Sequence, residues 1–309
     1  LSDRTEQQKG IFYAAFSYLL WGILPIYWKF LGDVSADEIL ANRVFWSFFF
    51  MLGFLGIAGR FRIFTDTLKG FTQNRKQLAA LAAASVIISI NWFIYIWAVN
   101  TGQMIQASLG YYINPLVSVL LGIVFFKEKL SKAQVLSFFL AAVGVLIMTS
   151  SYGKFPWISL TLAFSFGLYG LAKKKIKMES SVGLALETMV VMPIAAVYMA
   201  ILFFRGDSSL VAGSIAETLL LIGAGAVTAV PLLYFAKGAQ SIPLSMLGFL
   251  QYIAPTLTLL LGVFIYGEVF TPTHIYAFSF IWAALALYTF SRTKKAADWE
   301  SRIRTGKSA

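Results

Sequence analysis

The chain has 309 residues, of which 59% are hydrophobic and only 13% charged, and its mean hydropathy is +0.75. Soluble domains carry about 25% charged residues, so this composition excludes a water-soluble enzyme, a disordered chain and a secreted disulfide scaffold. With no cysteine and a single histidine, His274, the chain cannot build disulfides, thiolate metal sites or an HExxH centre, and no metal or other cofactor is expected. The net charge of +11 would suit a nucleic-acid partner if it were spread over one surface, so its placement decides its meaning.

Residues 1–9 are polar, and the apolar run after them is too long for a cleaved leader; it reads as a retained span. From Gln77 to Phe126 no Asp, Glu, Lys or Arg occurs. About 20 apolar residues cross a bilayer, so that run holds two spans. The same reasoning along the chain gives ten: 10–30, 37–58, 77–98, 104–126, 133–150, 156–173, 182–204, 215–236, 243–266 and 271–291. No strand alternation is present to suggest a β-barrel. Pro156, Pro243 and Pro272 fall at first-turn positions. Pro25, Pro115, Pro193, Pro231 and Pro255 fall within spans, where freed carbonyls need protein or a wet cavity beside them. No loop is long enough for a separate domain, and no GxxxxGK[ST] motor motif is present.

With the N-terminus inside, 21 of the Lys and Arg residues lie on that side and three, Lys29, Lys154 and Arg205, on the other; Arg43 lies within a span. The positive-inside rule then puts both termini in the cytoplasm. The basic excess becomes an orientation signal facing anionic lipid, and no nucleic acid is expected.

The halves resemble each other. Ala15-Phe16-Ser17 with Gly22 recurs as Ala163-Phe164-Ser165 with Gly170, and Leu40-Ala41 recurs as Leu184-Ala185. Tyr112-Ile113, Pro115, Gly122 and Glu128 recur as Tyr252-Ile253, Pro255, Gly262 and Glu268. A collinear series of this kind marks a repeat. Five spans per copy is an odd number, so the second copy enters the membrane from the opposite face. The expected fold is an all-α integral membrane protein of ten helices in two inverted five-helix repeats. Its segments are a tail at 1–9, repeats at 10–150 and 151–291, and a basic tail at 292–309. Inverted repeats are the usual basis of alternating access, so a carrier of small solutes is expected, with a channel or a non-transporting scaffold as the alternatives. No GxSxG, paired aspartates or histidine cluster supports a membrane enzyme.

Arg43 and Glu187 are the charges set inside spans, a functional signal by default, and the repeat makes them equivalent positions. Arg43 lies roughly 9 Å from one face and Glu187 roughly 8 Å from the other, leaving them about 13 Å apart along the normal. One charge near each gate is therefore expected, with no direct salt bridge. A proton-coupled mechanism would most simply use Glu187. The candidate cavity residues are Asn91, Tyr95, Gln106, Tyr111 and Asn114 in spans 3 and 4, and Tyr234, Gln251 and Tyr252 in spans 8 and 9. Ala107, Tyr111 and Asn114 share a helical face, and buried amides and phenols need partners. Interhelical glue is the competing role for many of them. Trp28 and Trp97, near span ends, read as interfacial belt residues, as does His274. Lys29 and Glu38 lie on adjacent helix ends as a possible outer closing pair.

Several blocks carry a family resemblance. They are Ser35-Ala36-Asp37-Glu38-Ile39-Leu40 with Arg43 and Trp46-Ser47; Asn91-Trp92 with Ile96-Trp97-Ala98-Val99-Asn100; and Ala107 to Leu116. Glu187-Thr188-Met189 with Pro193, and Leu247-Gly248-Phe249 with Gln251-Tyr252-Ile253 and Pro255-Thr256, complete them. Over nearly the whole chain they resemble the RarD branch of the EamA transporters, within the drug/metabolite transporter superfamily. The resemblance implies a ten-helix carrier of the bacterial inner membrane with a central cavity, moving a metabolite or drug-like solute, with export as the expected direction and a homodimer possible. Branch members are commonly labelled chloramphenicol-sensitivity permeases. This sequence departs from the pattern at Asn42, often histidine, and at Gln106, often glutamate. Neither residue titrates near neutral pH, so no proton-coupling role carries over to either position.

Overall fold

A computed structural model describes residues 2–70, 75–101, 104–153, 155–176, 178–265, 267 and 271–291. Glu268 and both ends of the C-terminal basic tail lie outside the described residues. The helices are α1 (Ser2–Lys29), α2 (Ala36–Ile57), α3 (Phe61–Gly70), α4 (Arg75–Asn100), α5 (Met104–Phe126), α6 (Lys132–Tyr152) and α7 (Trp157–Lys175). They continue with α8 (Ser180–Arg205), α9 (Ser209–Ala212), α10 (Ile215–Ser241), α11 (Leu244–Gln251), α12 (Ile253–Phe264) and α13 (Pro272–Ser291). Among the described residues nine spans are long and apolar enough to cross a membrane, α11 and α12 forming one of them. The tenth, α7, has 19 residues and ends in Lys173, Lys174 and Lys175. The protein is an all-α membrane protein of ten spans in two inverted five-helix repeats.

Three details differ from the sequence expectation. The link after the second span contains α3, whose Phe64 is buried while Arg62 and Lys69 face outward. The link after the seventh contains α9, one short turn. The ninth span is broken at Tyr252: Pro255, in the first turn of α12, has no N–H to bond back to the Gln251 carbonyl. Its repeat mate Pro115 sits inside the unbroken α5.

Eight spans form a closed ring. α1 packs on α10, α10 on α2, α2 on α8, α8 on α4, α4 on α7, α7 on α5, α5 on α11, and α11 with α12 return to α1. α6 and α13 pack on each other outside it. Exchanging α1 with α7, α2 with α8, α4 with α10, α5 with α11–α12 and α6 with α13 maps this order onto itself. That is the two-fold symmetry an inverted repeat requires. The mates Tyr112 and Tyr252 meet directly, the Tyr252 hydroxyl donating to the Tyr112 carbonyl at 3.3 Å.

Lipid gives helices no hydrophobic reason to associate, so membrane interfaces rely on small residues and close backbone approach. Gly225 of α10 shows this against α2. A Cβ there would lie 2.4 Å from the Trp46 carbonyl carbon, and the Ser47 hydroxyl donates to the Gly225 carbonyl at 3.0 Å. Gly144 does the same between α6 and α13, where a Cβ would lie 2.6 Å from the Ala277 carbonyl oxygen. Gly225→Val is expected to cost about 1–3 kcal/mol through overpacking. Thermal unfolding of the purified protein checks this; an unchanged transition would show that α2 and α10 are not in tight contact.

Candidate functional site

The charges at the two ends of the ring are handled differently. The end at which α1 begins and α7 finishes is here called the basic end. There Glu187, about seven residues and roughly 10 Å along α8, is met by two groups from α7. Lys173 Nζ donates to Glu187 Oε1 at 2.7 Å, and the Tyr169 hydroxyl donates to Oε2 at 3.0 Å. Lys173 is 3% exposed and Glu187 4%. Tyr169 stacks on Phe235 of α10 with centroids 5.9 Å apart, and Trp21 of α1 packs on Phe166 and Phe235 at 5.8 and 5.6 Å. Side chains of α1, α7, α8 and α10 thus fill the middle of the ring. The sequence reading counted Lys173 among the loop lysines; in the structure it is the buried partner of Glu187.

The other half of the ring is built around Arg43, about seven residues into α2. Its Nε donates to Thr228 Oγ1 of α10 at 3.0 Å. The guanidinium lies 4.8 Å from the centroid of a Trp28 ring (α1) and 5.7 Å from that of Trp92 (α4). Tyr95, one turn along α4 from Trp92, meets the ring of Tyr111 of α5 edge to face at 5.8 Å. α2 and α5 are not neighbours in the ring, nor are α1 and α4, so side chains that converge on Arg43 do so across the lumen. Tyr111 is nevertheless 47% exposed. That exposed ring lies on the side of α5 that meets Tyr95 of α4. Among the described residues no carboxylate lies within 4 Å of Arg43.

The contrast is also visible in packing. α7 packs against α10 at the basic end, whereas their mates α1 and α4 show no such packing among the described residues. Among the described residues the ring is thus more tightly packed across the basic end than across the other.

The remaining candidates divide by partner. Asn114 lies a turn below Tyr111 on α5, is buried, and its Oδ1 has no hydrogen-bond partner. Asn91 instead donates to the Leu162 carbonyl at 2.9 Å and to Ser165 Oγ at 2.8 Å, tying α4 to α7. Gln106 accepts the Ile158 N–H at 3.3 Å, which caps the first turn of α7. Tyr234 sits on the α1–α10 seam, 4.9 Å from the Phe16 ring. Gln251 and Tyr252 are buried where α11 meets α5. Asn42 is used within α2, donating to the Glu38 carbonyl and accepting from Trp46 Nε1. The Glu38 carboxylate, expected beside Lys29, accepts from the Ser209 N–H and hydroxyl, both at 2.7 Å, capping α9. Glu128 plays the same part at the basic end, accepting from the N–H groups of Leu244 and Ser245 at 2.7 and 2.9 Å. Trp28, expected at the membrane interface, faces Arg43 instead. Trp97 is 5.8 Å from Trp157, near the outer ends of α4 and α7.

The model of the EamA-like transporter family matches residues 8–150 and again 156–290. The chain belongs to the EamA-like transporter family. It is 51% identical over 94% of its length to the uncharacterized transporter YojE of Bacillus subtilis, covering 97% of that protein. It is 43% identical over 95% of its length to the RarD protein of Escherichia coli, covering 100% of that one. A solved crystal structure that is 18% identical superposes with a TM-score of 0.70 over 91% of this chain and 97% of the other; at that identity it speaks to the fold alone. Like its relatives, this EamA-type chain is a multi-pass bacterial membrane protein.

Breaking a buried ion pair by removing one partner costs about 3–5 kcal/mol, while replacing both can be neutral. Lys173→Met and Glu187→Leu are each expected to destabilise the protein by that order, and the double variant to recover most of the loss. Thermal melts of the four proteins check this. Additive losses in the double variant would show that the pair does not hold the basic end together.

Proposed function

We propose that the protein is a secondary carrier that moves a small organic solute by alternating access, without catalysis and without nucleic acid as a partner. The observation that supports this reading is the ring itself, crossed at the basic end by the buried contacts of Tyr169, Lys173, Glu187 and Phe235 and holding at the other the Arg43 cluster with a half-exposed Tyr111; we read the first as a closed gate and the second as an open one. With the basic end in the cytoplasm, as the positive-inside rule requires, this is the outward-facing state. Both termini are then cytoplasmic. The two halves, 10–150 and 151–291, are the moving units, and exchanging their conformations opens the basic end while closing the other. Arg43 and Glu187 are the gate positions of the two halves.

Direction follows from the gradient, and export is the expected traffic for a cell-membrane carrier of metabolites or drug-like solutes. Glu187 is tied to Lys173 in this state. A neutral group in its place removes the charge that holds Lys173 and is expected to loosen the inner seal. Glu187→Gln is expected to lower any pH dependence of transport.

The absence of cysteine from the sequence makes single-cysteine labelling clean. In right-side-out vesicles Tyr111→Cys is expected to react with an impermeant maleimide faster than in inverted vesicles. Purified protein in vesicles preloaded with a pooled metabolite extract is expected to exchange at least one component with the outside. Equal labelling from both faces would favour a channel, and no exchange of any component would contradict the carrier reading.

A further inference from the structure

We infer that the solute carries an anionic group, a carboxylate on an aromatic or otherwise flat apolar body, and that Arg43 is its anchor. The inference rests on the carrier reading and gives that carrier's substrate class.

Arg43 is a charge held at membrane depth. Such a charge is costly unless paired or wetted, and this one has no carboxylate within 4 Å among the described residues. A guanidinium has five N–H donors. Arg43 spends Nε on Thr228, and its two Nη atoms make no hydrogen bond among the described residues. Among the described residues the buried side-chain atoms without a partner are Tyr18 Oη, Asn114 Oδ1 and Glu179 Oε2. The Nη atoms are not among them, so they keep accessible surface, within the cluster that Trp28 and Trp92 form around the guanidinium. The guanidinium fork matches a carboxylate with two parallel N–H···O bonds.

The surroundings fit the rest of such a molecule. The ring faces of Trp28 and Trp92 offset part of the charge through cation–π contact, which keeps the guanidinium in place without neutralising it. With Tyr95 and Tyr111 they offer aromatic walls for an apolar body. Glu187, at the repeat-equivalent position, shows the contrast: its charge is answered by Lys173 from within the chain. The structure therefore fills one of two equivalent positions with an internal counter-ion and leaves the other for a counter-ion from outside. A free organic acid and the phosphate of an anionic lipid share that chemistry. The accessible fork and the four aromatic walls favour the acid.

The test is isothermal titration of the full chain in an uncharged detergent with 3-phenylpropionate, its neutral amide and 2-phenylethylamine. The acid is expected to bind about tenfold or more tightly than the amide, the size of one charge-assisted hydrogen-bonded pair, and the amine least. Arg43→Gln should erase the preference for acid, Arg43→Lys should keep part of it, and Trp92→Leu should weaken acid and amide together. Gel filtration confirms that each variant is folded, and the Lys variant keeps the test decisive if the Gln variant is not. Equal binding of acid and amide, no binding of either, or a preference that survives Arg43→Gln would overturn the inference. So would binding of phosphatidylglycerol in phosphatidylcholine nanodiscs without any response to the free acid, which would assign the site to a headgroup. Counterflow separates the two levels. Binding without exchange contradicts the carrier, and exchange of the acid that does not depend on Arg43 contradicts the site alone.

Discussion

A lysine and a glutamate buried in an apolar slab must find each other or be removed. Breaking such a pair costs several kcal/mol, and here Lys173 and Glu187 meet at 2.7 Å with both side chains almost fully buried. The pair brings α7 and α8 together across the ring although they are not packed neighbours in it. Tyr169 then lies between Glu187 and Phe235, and the aromatic plug with Trp21 and Phe166 follows from that placement. The seal is thus a consequence of where one charge was obliged to find its partner.

The inverted repeat gives this a second side. α2 presents Arg43 at the position where α8 presents Glu187, yet among the described residues no carboxylate lies within 4 Å of it. The ring order is invariant when the halves are exchanged, so the proposed carrier calls for a mirrored arrangement in which the other end is the tight one. Two arrangements of one ring are the bistable element a carrier requires. The capping carboxylates Glu128 and Glu38 tie the links to the helices at both faces.

Much of the architecture was legible because a bilayer penalises charge so strongly. The charge-free run from Gln77 to Phe126 and the lysine asymmetry mark spans and faces, and the repeated Tyr-Ile and Pro positions mark the symmetry. Arg43 stands out for the same reason, and Tyr95 and Tyr111 because a buried phenol needs a partner. What was not legible depends on which partner a polar group finds. Lys173 opens a lysine triplet that reads like any cytoplasmic rim, and only its one-turn spacing from Tyr169 hints at an inward face. Trp28 sits near a span end, where tryptophan usually meets headgroups, and only the packing of α1 beside α10 brings it over Arg43. Asn91 and Gln106 have the chemistry of lumen residues, but the backbone of α7 was nearer. Short helices such as α9 leave too few residues for a periodic signal.

The central claim is that the two ends of the ring are coupled, one opening as the other closes. Spin-label distances test it most directly, with one pair at Lys29 of α1 and Trp97 of α4 and another on α7 and α10 at Lys175 and Ser241. Comparing the wild type with Glu187→Gln in nanodiscs, the account predicts that the second distance lengthens and the first shortens, in one correlated shift of populations. A change at one pair with none at the other, or no change at either, would contradict it.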